Sequence, residues 1–157
     1  SGIVTNDRGV TVWLKGNRVS RNQIMAIKEE SVTEQKNSLA VCLDNILRHA
    51  GITRNTEYDL AQGKTATTIL SENMTGVQVL DLSGCTLDAV LYYVNQDIPV
   101  LAILEDGEAV LVTGFNEFNV VIMEPATGKL YKKGMNDATA WFAENGNHFI
   151  TYMRTEN

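Results

Sequence analysis

Residues 98–123 read Ile98-Pro99-Val100-Leu101-Ala102-Ile103-Leu104-Glu105-Asp106-Gly107-Glu108-Ala109-Val110-Leu111-Val112-Thr113-Gly114-Phe115-Asn116-Glu117-Phe118-Asn119-Val120-Val121-Ile122-Met123. Three nearly continuous apolar runs, 99–104, 109–113 and 119–123, are separated by two short polar connectors. Runs of this length without polar alternation suit strands buried on both faces, and connectors this short suit antiparallel hairpins. Downstream, Ala126-Thr127-Gly128 makes a further turn into a strand over 129–132. Asn136 is placed to cap a helix carrying Ala138, Trp141 and Phe142, and 148–153 reads as a last strand that closes the sheet.

Upstream of this block the periodicity is helical. Leu39, Leu43, Ile46, Leu47 and Ala50 share one face from Ser38 to Ala50, and Gly51 supplies the stop. Shorter helices are expected over 56–62 and 65–73, separated by Gly63, followed by a brief strand at 77–80. Thr86 then caps a helix whose Leu87, Val90, Leu91 and Val94 form one stripe. Before all of these, 10–15 alternates as a strand, Ser20 can cap a helix through Lys28, and 29–37 is polar and reads as a loop. Helices first and strands later predict an α+β fold, with N-terminal helices packed on a C-terminal antiparallel sheet.

The chain has 157 residues, 44% hydrophobic and 20% charged, which fits one ordinary domain and excludes disorder or collagen. Its net charge of −6 is unevenly spread: residues 1–36 carry six Lys/Arg against four Asp/Glu, and residues 37–157 carry seven against fifteen. An acidic body without a cationic cluster argues against nucleic acid as a partner. No apolar run approaches the ~20 residues needed to cross a bilayer, so no membrane insertion by this segment is expected, and no charged-then-apolar leader opens the sequence. Ser1-Gly2 reads as an expression remnant. The two cysteines, Cys42 and Cys85, form no C-x-x-C pair, which excludes a structural zinc site; free core thiols are expected, with a single disulfide left open. No cofactor and no metal are expected. The turn containing Glu105, Asp106 and Glu108 lacks the spacing of a cation loop and reads as a solvated hairpin.

Several features together resemble the papain-like fold, specifically the bacteriocin-processing C39 and C39-like cysteine peptidases of bacteria, over roughly residues 33–153. They are Gln35 ahead of the helix, Ser38-Leu39-Ala40-Val41-Cys42-Leu43-Asp44-Asn45-Ile46-Leu47 ending at Gly51, Ile98-Pro99-Val100-Leu101-Ala102, the apolar strand from Glu108 to Gly114-Phe115, and Glu124-Pro125-Ala126-Thr127-Gly128. The resemblance implies a domain over 33–157, preceded by a strand-helix extension over 3–32. That family needs a thiolate at a helix N-terminus, an imidazole to take the proton, a group to orient the imidazole and a Gln at the oxyanion. By resemblance, Ser38 stands at the nucleophile position, thirteen residues before Gly51, and Glu108 at the His position, six before Gly114. Glu124 falls on the orienting position and Gln35 on the oxyanion position.

A hydroxyl is a far weaker nucleophile than a thiolate. A glutamate, with an ordinary pKa of about 4.3 against about 6.5 for His, brings negative charge where the reaction needs a base that becomes positive. The resemblance therefore implies a non-catalytic domain that keeps its groove for a peptide or protein segment, as a docking unit or as part of a larger, extracytoplasmic or cell-surface bacterial protein. The alternative is a hydrolase using Ser38 or Cys42. Cys42 lies one turn inside the helix among Leu39, Leu43 and Ile46 and reads as core; Cys85 before Thr86 reads as a packed turn residue. His49 suits the helix C-terminus, His148 an ordinary strand position, and Tyr92, Tyr93, Trp141 and Phe142 the core.

Overall fold

The computed structural model describes residues 37–155. The expected strand over 10–15, the helix from Ser20, the 3–32 extension and Gln35 lie outside these residues. Eleven elements follow in order among the described residues: α1 Ser38–His49, α2 Glu57–Ala61, α3 Ala66–Asn73, β1 Val77–Asp81, α4 Leu87–Val94, β2 Val100–Ile103, β3 Ala109–Phe115, β4 Asn119–Glu124, β5 Lys129–Gly134, α5 Met135–Glu144 and β6 Phe149–Arg154. The six strands form one sheet in the order β1-β6-β2-β3-β4-β5, every pair antiparallel.

All seven residues of β3 are buried because helices cover the sheet on both faces. On one side α1 and α3 bring Leu43, Ile46, Leu47 and Ile69 against Leu101, Leu111, Met123 and Ile150. On the other, α4 and α5 bring Leu87, Val90 and Phe142 against Val100, Val110, Val112 and Phe149. Alternate residues of each central strand thus feed different cores, which is why those strands carry no polar alternation. The β3–β4 register shifts between Val112 and Gly114, and this bulge at Thr113 puts Val112 and Phe115 into the same core although they are three residues apart.

Caps explain where the helices begin. Asn37 Oδ1 accepts the backbone N–H groups of Leu39 and Ala40, Thr65 Oγ1 that of Thr68, and Thr86 Oγ1 that of Ala89. Gly51 takes φ +88°, the left-handed conformation that ends α1 cheaply only when no Cβ is present.

The α+β expectation holds, and one boundary differs. Helix α5 begins at Met135, with Gly134 as its cap residue and no side-chain cap, because β5 runs straight into it; Asn136 is already inside the helix. The last strand lies inside the sheet, between β1 and β2. Helices cover both faces, as the unbroken apolar runs require, with α4 and α5 interleaved with the strands in the order read from the sequence.

Candidate active site

Ser38 is the first residue of α1, and the helix start meets the start of β3: the Ala109 N–H donates to Ser38 Oγ at 2.9 Å. The contact spans 71 positions and rests on two local causes. Asn37 caps α1 and fixes its first turn, and the five-residue turn from Leu104 to Glu108 aims β3 back at that turn, with Leu104 N–H donating to the Glu108 carbonyl at 2.8 Å and Gly107 at φ +87°. Asp106 Oδ1 accepts the Glu108 N–H, and the Glu108 side chain is exposed.

Glu124 ends β4, one residue beyond the Met123 that pairs with Leu111, so it lies at the same end of the sheet as Glu108 on the adjacent strand. It faces Lys129 across the β4–β5 register, and its carbonyl accepts the Gly128 N–H at 2.8 Å. Among the described residues no hydrogen bond joins Ser38 Oγ to the Glu108 or Glu124 carboxylate. Gln35 lies outside the described residues.

Cys42 is fully buried in the α1–α3 core. Burial first, and the Glu124 charge second, push its thiol well above the ordinary range, so it remains protonated and out of reach of substrate. Cys85 is a second free thiol, half-buried beside the α4 cap, at the mouth of an apolar cavity of about 360 Å³ shared with Leu82, Val90, Tyr92 and Tyr93. Tyr92 departs from the core expectation: its ring is 47% exposed and meets Tyr93 edge-on. Phe142 is core as expected, and Trp141 is half-buried with Lys133 Nζ 4.9 Å from its ring centroid.

His49 ends α1, at the opposite end of that helix from Ser38. His148 precedes β6, and its carbonyl accepts the Ile103 N–H. Its ring is near Asp81, whose carboxyl is held below the ordinary range chiefly by the Ser83 hydroxyl and N–H and to a smaller extent by His148. Among the described residues no three His, Cys, Asp or Glu side chains converge as a metal site would require, and no helix is long and apolar enough to cross a membrane.

No family model matches the chain, and no curated protein matches it. A solved structure does: the crystal structure of a Bacillus anthracis protein described as a candidate C39-like peptidase superposes with a TM-score of 0.68, over 85% of this chain and 98% of that one, at 12% sequence identity. The fold is C39-like. At that identity the likeness carries architecture and no residue roles. At the junction of α1 and β3 this chain places a serine hydroxyl that accepts the Ala109 N–H.

Several supporting contacts were not read from the sequence. Asp44 Oδ1 accepts both the N–H and the hydroxyl of Thr56, while the Thr56 hydroxyl also reaches the Ala40 carbonyl at 3.2 Å, tying the α2 approach to α1. Arg54 grips the buried Asp59 with Nε and Nη2 at 3.1 and 3.0 Å. Ser, Thr and Asp are common in turns, so nothing in their spacing distinguishes these partners from solvated neighbours.

Proposed function

We propose that this domain keeps a C39-like peptidase scaffold without peptidase chemistry, and that the surface around Ser38, Glu108 and Glu124 holds a peptide or protein segment as a module of a larger bacterial protein. The observation that carries this reading is the 2.9 Å bond from the Ala109 N–H to Ser38 Oγ. It sets the hydroxyl against backbone at the residue following Glu108, where a nucleophile would need a base to take its proton. The residue that precedes Ala109 is a glutamate, and a carboxylate cannot become the cation that stabilises a developing oxyanion. Cys42 supplies no substitute, because its thiol is buried and protonated.

The test is incubation with fluorogenic peptides bearing Gly-Gly or generic residues at the scissile bond. No turnover above buffer is expected. Turnover that vanishes in Ser38→Ala overturns the proposal in favour of a serine-dependent hydrolase. The double variant Ser38→Cys, Glu108→His is expected to gain labelling by a thiol-directed electrophile at position 38, since a thiol at the first residue of α1 with an imidazole beside it has the elements of an activated nucleophile.

A further inference from the structure

Helix α1 is buried nearly all the way round. Leu43, Ile46 and Leu47 face the sheet, where the helix packs on β2 and β3. At about 100° per residue, Val41 and Asn45 fall on the opposite side. That outward stripe is also shut off from water: Val41 is 9% and Asn45 6% exposed, and Arg48, next along it, is the exposed residue of the helix. The Asn45 amide is satisfied as such a position requires, Nδ2 donating to the Val41 carbonyl at 2.8 Å and Oδ1 accepting from Arg48 Nη2 at 3.3 Å. A helix with two buried sides has something packed on each.

Among the described residues no element is laid over the outward stripe. Helix α2 is tied to α1 at the Ala40 and Asp44 flank through Thr56, and its Tyr58 is turned 69% to solvent. The sheet repeats the pattern beside it. On this side α1 and α3 lie over β1, β2 and β3, and neither runs along β4 or β5. Val121, two residues from Met123 on the same face of β4, belongs to neither helix core, yet it is only 6% exposed.

The part of the chain with the position, composition and charge to cover both places is residues 1–36. They join α1 at Asn37, one turn before Val41. They carry Val10, Val12, Trp13, Ile24 and Met25, and six Lys/Arg against four Asp/Glu, beside a remainder with seven against fifteen. A segment tethered one turn from its docking surface acts at high effective concentration, so modest apolar contact and opposite charge suffice to hold it. We propose that residues 1–36 dock in cis on the outward side of α1 and the adjoining flank of β4, closing over Val41, Asn45 and Val121. The folded unit then includes this segment. The surface lies behind α1 from the sheet, and the proposal stands whether or not the reading given for the Ser38 surface is correct.

Photo-cross-linking in the full chain tests it. In a Cys85→Ser background, where buried Cys42 stays unreactive, Arg48→Cys is labelled with benzophenone-maleimide at the open end of the stripe and irradiated. Adducts to peptides within residues 1–36, in the monomer fraction, are expected. Adducts confined to residues after 37 overturn the proposal, and so does a cross-linked dimer without intrachain adducts, which assigns the face to a second copy. A second readout uses Trp141→Phe, which leaves Trp13 as the one indole of the chain. Its emission is expected at shorter wavelength in the native protein than in guanidinium, with several-fold weaker quenching by acrylamide. Native quenching equal to that of the unfolded chain overturns the proposal.

Discussion

The two thiols show how far one side chain's setting decides its chemistry. Cys42 and Cys85 are both free, but one is sealed between α1 and the sheet and the other stands half-buried at the α4 cap. A colorimetric thiol reagent should therefore titrate Cys85 in the native protein and Cys42 only after denaturant is added. Because burial raises the folded-state pKa of Cys42, the folded state holds a proton that the unfolded chain releases from about pH 8.5 upward. Tyr93, Tyr131 and Tyr152 are raised in the same sense and act from about pH 10. Stability is thus complete below those values and declines as pH climbs through them. Guanidinium midpoints should fall between pH 8 and 10, and Cys42→Ala should flatten the first part of that fall. At the start of α1, Asn37→Ala removes an acceptor for two backbone N–H groups and should cost about 1 kcal/mol, read as a drop in the thermal midpoint. Asn37 was legible in the sequence only as the end of a polar stretch. Its role as a cap depends on which residue first takes helical dihedrals, and Ser38 beside it is an equally good capping residue by type.

Among the elements, the central strands were the most legible part of the sequence and the helix starts the least. Uninterrupted apolar runs at 99–104, 109–113 and 119–123 announce strands covered on both sides, and helices do cover both sides. The start of α5 was misplaced because β5 and α5 abut without a connector, so no turn residue marks the boundary. Tyr92 was misplaced because helical spacing cannot tell the flank of an apolar stripe from its centre. The two-sided cover also makes a quantitative prediction. Leu47→Ala in the α1 core should cost about 2–5 kcal/mol and Phe142→Ala in the α5 core about 3–5 kcal/mol. With the sheet between them the two losses should add to within about 0.5 kcal/mol, provided urea unfolding of the double variant stays cooperative. A smaller shared core would show strong coupling instead.

For the whole molecule, the order of strands in the sheet is the property that reading along the chain cannot supply. Local patterns find β6 but say nothing of its neighbours, since pairing between Val77 and Arg154 depends on contacts across half the protein. The meeting of Ser38 with Ala109 is of the same kind: the resemblance to C39-like peptidases singled out Ser38 and Glu108 in the sequence, and only the fold brings Ser38 into contact with the residue that follows Glu108. Amide exchange should find β6 among the slowest strands, because it is paired on both sides, while β1 and β5 exchange faster at the edges. Placing β6 inside the sheet also sets a schedule for synthesis. A chain emerging from the ribosome has β1 and β2 long before it has β6, and each of them presents an unpaired edge until Phe149–Arg154 arrives to join them. During that interval β1 has no partner among the described strands, so nascent chains stalled short of position 149 should be strong clients for chaperones that recognise exposed strands, and those stalled well beyond position 154 should not.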